Sequence, residues 1–94
     1  MEILINSETE NLMKDQYAFM LLFKIAYYTK RNDNFTIPFV EIGEAFISNT
    51  MFPEFSPTNY RSAVKRLSNW GFATFRTTNR GTIAKLSTDK FFKI

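Results

Sequence analysis

The chain contains neither cysteine nor histidine. Without cysteine there are no disulfides and no thiolate metal sites. Without histidine the commonest general base, the commonest zinc ligand and every His-containing catalytic triad are gone. Glycine and proline are scarce, at three residues each, and no phosphate-cradling glycine motif occurs. Metal binding would fall to Asp33, Glu41 and Glu44, carboxylates too few to make a site without histidine. No metal and no cofactor are therefore expected. Asp, Glu, Lys, Tyr, Ser and Thr remain, in 94 residues that are too short to wrap a deep pocket easily. The expectation is a protein without catalytic residues, not an enzyme.

Long apolar runs are also missing. The longest, Tyr17 to Tyr28, covers 12 positions and is interrupted by Lys24, short of the roughly 20 a membrane-spanning helix requires. The acidic start, Met1-Glu2-Ile3-Leu4-Ile5-Asn6, is too short in apolar length for a signal peptide. These features predict no membrane partner and a cytoplasmic location. Acidic residues are absent between Glu54 and Asp89, and this sharpens the charge pattern. Residues 1–57 carry four basic and eight acidic side chains, a balance of −4; residues 58–94 carry eight basic and one acidic, a balance of +7. Such a block suits an anionic partner, nucleic acid before a membrane surface.

What the chain does have is apolar mass. Hydrophobic residues make up 45% and aromatics 17%, including eleven Phe, enough for one core and a single domain over 1–94. An N-terminal arm, 1–11, carries Ile3-Leu4-Ile5 and the capping residues that follow. A long helix is predicted over 12–30, where neither Gly nor Pro occurs. Its apolar residues surround the axis, which calls for burial on more than one side. Either the arm and Phe91-Phe92 cover the second side, or a second copy does, making a homodimer through helix 12–30. Arg31 to Asn34 reads as a turn and Phe35-Thr36-Ile37 as a short strand. Pro38 opens a short second helix ending at Ile47, and 48–56 is a connector.

The strongest local signals come next. Ser56-Pro57 marks a helix start, with Ser as N-cap and Pro at the first position. The helix runs over 57–70 and Gly71 ends it. A hairpin follows over 72–86: Phe72 to Thr77 and Thr82 to Leu86 alternate with period two about an Asn79-Arg80-Gly81 turn. A tail, 87–94, docks through Phe91-Phe92. The predicted core comprises Phe23, Ile25, Phe46, Val64, Leu67, Phe72 and Leu86, and Trp70 is expected to join it. The fold class is α+β, and the order helix, strand, helix, helix, hairpin is that of a winged helix-turn-helix, three helices with a β-hairpin wing and a small N-terminal arm.

On a helical wheel Tyr60, Val64 and Leu67 form the core stripe of helix 57–70. The other side carries Thr58, Asn59, Arg61, Ser62, Lys65, Arg66 and Asn69. Arg and Lys pair with guanine acceptors or phosphates, Asn with adenine, and Ser or Thr with either. The hairpin tip adds Thr78, Asn79 and Arg80 as phosphate or minor-groove contacts. These ten residues are the candidate DNA-binding set.

The stretch Tyr60-Arg61-Ser62-Ala63-Val64-Lys65-Arg66-Leu67-Ser68-Asn69-Trp70-Gly71-Phe72 has the R-x-x-x-x-x-L-x-x-x-G-F form of many winged helices. Thr77 to Ile83, with its Thr-Thr-Asn-Arg-Gly core, is similar to the wing of winged-helix domains in phage and plasmid replication-initiation proteins. The resemblance implies duplex-DNA binding, in replication or transcriptional regulation of a mobile element. The alternative expectation is a winged-helix module that binds protein through the aromatics of helix 12–30, without DNA.

Overall fold

A computed structural model describes residues 1–29 and 39–93. Among these it is α+β, with three helices and two small antiparallel sheets. The order is β1 (Glu2–Ile3), α1 (Ser7–Met13), α2 (Gln16–Tyr28), β2 (Glu44–Ile47), a 3₁₀ turn (Asn49–Met51), α3 (Pro57–Asn69), β3 (Ala73–Thr78), β4 (Gly81–Leu86) and β5 (Phe92–Lys93).

The single helix expected over 12–30 is two. Asn6 caps α1 by accepting from the Thr9 N–H at 2.9 Å, so helix begins inside the segment expected to be arm. Asp15 then accepts from the Ala18 N–H at 3.1 Å and restarts the chain as α2. The Asp15 carboxylate satisfies one of the N–H groups orphaned at the break and so offsets part of the cost of interrupting the ladder. The short helix expected to end at Ile47 is also replaced. Residues 44–47 form β2, in which Ala45 and Ile47 are buried and Glu44 and Phe46 alternate with them. Gly43, at φ +91°, turns the chain into the strand. The 35–37 strand, the Arg31–Asn34 turn, Asp33 and Pro38 lie outside the described residues.

The three-stranded sheet has the order β2-β4-β3. Ala45 opposes Ala84, and Ala84 opposes Phe75, so these side chains share one face, which packs on α2 and α3. The alanines let the helices approach closely. The other face carries Glu44, Phe46, Arg76, Ile83 and Lys85. There Phe39 stands edge-on to Phe46, ring centroids 5.4 Å apart.

The core runs along α2 through Ala18, Leu21, Leu22, Ile25 and Ala26 to Leu67 of α3 and Phe52 of the connector. Of the expected core residues, Ile25 and Leu67 are fully buried. Phe23, Val64, Phe72 and Leu86 are half-buried against that core, as Phe46 is on the outer sheet face. The C-terminal aromatics do cover α2: Phe92 packs on Phe19 and Phe23 at 6.0 and 5.8 Å. Phe91 stands against Phe72 at 4.8 Å. Strand β5 that carries Phe92 is held by β1, with Glu2 opposite Lys93 and Ile3 opposite Phe92.

Trp70 does not join the core; it is 46% exposed. It sits at the C-cap, where the helix's neighbours run out, and Phe72 takes the inner place while the indole leans on it at 5.8 Å.

Candidate nucleic-acid interface

Helix α3 is defined at both ends by its own sequence. Ser56 accepts from the Asn59 N–H at 3.0 Å, and Pro57 occupies the first turn, where its missing N–H costs nothing. At the other end the Phe72 N–H bonds the Leu67 carbonyl and the Gly71 N–H bonds that of Ser68. That double closure needs a left-handed residue, and Gly71 supplies it at φ +75°. The helix buries Ala63 and Leu67, with Tyr60 and Val64 beside them. Thr58, Arg61, Ser62, Lys65 and Asn69 are exposed, and Asn59 is half-buried.

Arg66 is differently placed. Its Nε donates to Asp15 Oδ2 at 2.7 Å and its Nη2 to Asp15 Oδ1 at 2.9 Å. Its Nη1 donates to Ser62 Oγ at 2.6 Å. The guanidinium thus joins α3 to the N-terminus of α2 in a two-point fork, the geometry Arg offers and Lys does not. Burial acts to raise the Asp15 carboxyl, but the Arg66 hydrogen bonds and charge and the Ala18 and Tyr17 N–H groups outweigh it and hold it below the ordinary carboxylate value.

A second cation is neutralised on the outer sheet face, where Arg76 Nη2 meets Glu44 Oε1 at 3.2 Å. Glu44 also accepts from the Glu41 N–H at 3.0 Å. That backbone bond is the main reason its carboxyl stays low; burial opposes it, and Arg76 and Lys85 add to it. Lys90 pairs with Glu8 at 3.4 Å. Among the described residues after Ser56, the cations with no carboxylate within ion-pair distance are Arg61, Lys65, Arg80, Lys85 and Lys93.

The hairpin turn is two residues long, Asn79 and Arg80, since Thr78 pairs with Gly81. Thr78 staples it: its Oγ1 donates to the Gly81 carbonyl at 2.8 Å and accepts from the Arg80 N–H at 3.2 Å. The side chains of Asn79 and Arg80 stand exposed. The Arg80 guanidinium lies over the Phe39 ring, 4.9 Å from its centroid.

A cleft of about 260 Å³ joins helix to hairpin, lined by Ile47, Ser48, Pro57, Tyr60, Arg61, Gly81 and Thr82. Burial pushes the Tyr60 phenol up from its ordinary value, and Thr82 beside it relieves this only in part. The Tyr60 hydroxyl makes no full hydrogen bond within the described residues.

Of the ten expected site residues, the structure brings Thr58, Arg61, Ser62, Lys65 and Asn69 to one helix face and Asn79 and Arg80 to the adjoining turn. Asn59 is at the first turn, while Arg66 and Thr78 are engaged within the protein and Ser62 Oγ already accepts from Arg66. Phe39 and Ser48 escaped sequence reading, because neither belongs to the basic block and only tertiary contact places them here. No helix among the described residues is long and apolar enough to cross a membrane. Compared with known proteins, the chain matches no family model, no curated protein and no solved structure.

Proposed function

We propose that this protein binds duplex DNA as a winged helix-turn-helix, with the exposed face of α3 in the major groove and the β3–β4 turn as the wing along the backbone. One observation carries the reading. Arg61 and Lys65 on α3 and Arg80 at the turn have no carboxylate partner among the described residues, and Arg61 and Gly81 line one cleft. Neighbouring cations left unneutralised on adjoining elements suit a polyanion with regularly spaced phosphates. Strand β2 precedes α3 in the chain and pairs with β4 of the hairpin that follows α3, and this order, β2-β4-β3, supports the winged-helix assignment. The 3₁₀ turn Asn49–Met51 and its connector stand before α3 where a helix-turn-helix carries its second helix. Resemblance at the recognition helix and wing favours a role in replication or transcription of a mobile element.

The test is fluorescence anisotropy of a labelled random-sequence duplex titrated with protein between about 50 and 200 mM salt. Three phosphate contacts give a log–log slope of about −3. A flat response, or no binding at low salt, rejects the reading. It would favour the second one, a protein-binding module using α2, where Met20, Tyr27 and Tyr28 are 37%, 57% and 43% exposed.

A further inference from the structure

The outer face of the three-stranded sheet carries an aromatic arrangement that the proposed function does not by itself require. Phe46 of β2 presses its ring against Gly81 so closely that a Cβ there would lie 2.7 and 2.8 Å from two ring carbons. Gly81 also has φ +143°, so both space and backbone exclude a side chain at this position. Phe39 meets Phe46 edge-to-face at 5.4 Å, and the Arg80 guanidinium lies over Phe39 at 4.9 Å. The three side chains make a bracket: Phe46 locates the turn, Phe39 stands on Phe46, and Arg80 rests on Phe39.

We propose that Phe39 is a positioning residue for Arg80, holding its guanidinium so that it meets nucleic acid edge-on, at a phosphate. This rests on the DNA-binding reading and specifies how its wing works. A guanidinium is flat, with its charge attracted to an aromatic face and its five N–H donors directed in its own plane. Stacking on Phe39 occupies one face and leaves the donors free. No carboxylate claims them among the described residues, unlike those of Arg66 and Arg76. An arginine already ordered gives up less rotamer freedom on binding than a free one. In-plane donors match the oxygens of a phosphate in a fork. The wing contact is therefore a backbone contact, indifferent to base sequence and dependent on a ring that itself touches no DNA.

The experiment is a double-mutant cycle on the affinity for a random-sequence duplex at low salt, with Phe39→Leu, Arg80→Ala and the pair. Phe39→Leu keeps an apolar side chain and removes the aromatic face. It should weaken binding about two- to fivefold, the size of an exposed cation–π contact, and should do nothing further once Arg80 is Ala. Phe39→Tyr should restore parental affinity. Arg80→Ala should reduce the salt slope by about one. Parental affinity in Phe39→Leu, or an equal loss with and without Arg80, overturns the proposal. Should Phe39→Leu fail to fold, Arg80→Lys carries the test: it keeps the charge but not the flat guanidinium, and parental affinity in that variant overturns the proposal. If Lys65→Ala weakens binding while Arg80→Ala does not, the bracket fails and the DNA reading stands. If the parent protein binds no duplex, the DNA reading itself fails.

Discussion

Helices α2 and α3 are the same length, 13 residues each, and both start on a side-chain cap, yet they are opposites in every other respect. α2 buries five of its residues and meets α1, α3, β2 and β4. Its one charged side chain, Lys24, is drawn back over the Phe52 ring and donates to the Met51 carbonyl at 2.7 Å. α3 buries only two and leaves its other side to cations, amides and hydroxyls. One helix is a beam with neighbours on several sides, and the other is a lintel with one face on the structure and one free. An amphipathic stripe is what a helix has when its neighbours lie on one side; α2 also buries one stripe, Ala18, Leu21, Leu22, Ile25 and Ala26, but its apolar residues run on past it, to Phe19 and Phe23 under Phe92 and to the exposed Met20, Tyr27 and Tyr28.

The contrast can be broken first at the buried contact between them. Leu67→Ala empties a fully enclosed site and should destabilise by about 2–5 kcal/mol in denaturant unfolding. Leu21→Ala, from the α2 side, should cost a similar amount. A loss below about 0.5 kcal/mol for either would mean that the helices are not packed along these faces.

The next effect separates the two helices by function. Lys65→Ala on α3 should weaken binding to a preferred duplex by about 1–3 kcal/mol and to random duplex by less, if its ammonium reaches a base edge. Lys24→Ala on α2 should leave DNA affinity unchanged. Equal losses from both would erase the functional distinction; binding-site selection followed by anisotropy measures them.

The smallest effect concerns the clamp between the helices. Asp15→Ala removes the α2 cap and the Arg66 fork together and should cost about 1–2 kcal/mol. Asp15→Asn keeps a capping oxygen and removes the charge. Because the folded carboxyl is held below its ordinary value, the folded protein takes up the proton at lower pH than the unfolded chain does. The stabilisation is complete above about pH 4 and is lost as pH falls from there through the folded value. Unfolding curves through this range should show a shallower acid loss in Asp15→Asn than in the parent. An unchanged profile would show that the pair adds nothing.

Local signals made α3 and the hairpin legible from sequence. Ser56-Pro57, Gly71 and the period-two alternation about Asn79-Arg80 each act within a few residues, and the structure places the helix end at Asn69 and the strands at 73–78 and 81–86. What was not legible depends on distant partners. Arg66 reads as one more cation of the helix face until Asp15, 51 residues earlier, takes it. Ala45-Phe46-Ile47 suits a helix until β4 offers hydrogen-bonding partners along 82–85. The candidate site was legible in the same partial way: the sequence lists its cations, but only the fold decides which of them are already spent.

The β1–β5 pair has a consequence for the order of events in folding. Leu4 donates to the Phe91 carbonyl at 2.8 Å and Asn6 to that of Lys90 at 3.0 Å, so the arm and the tail clasp each other across nearly the whole chain. Such contacts close the longest loops and have the greatest entropy to overcome. Phe91 and Phe92, which seal α2 and Phe72, arrive by that clasp. During synthesis α2 therefore waits with Phe19 and Phe23 uncovered until the tail, which directly follows the hairpin in sequence, has been made.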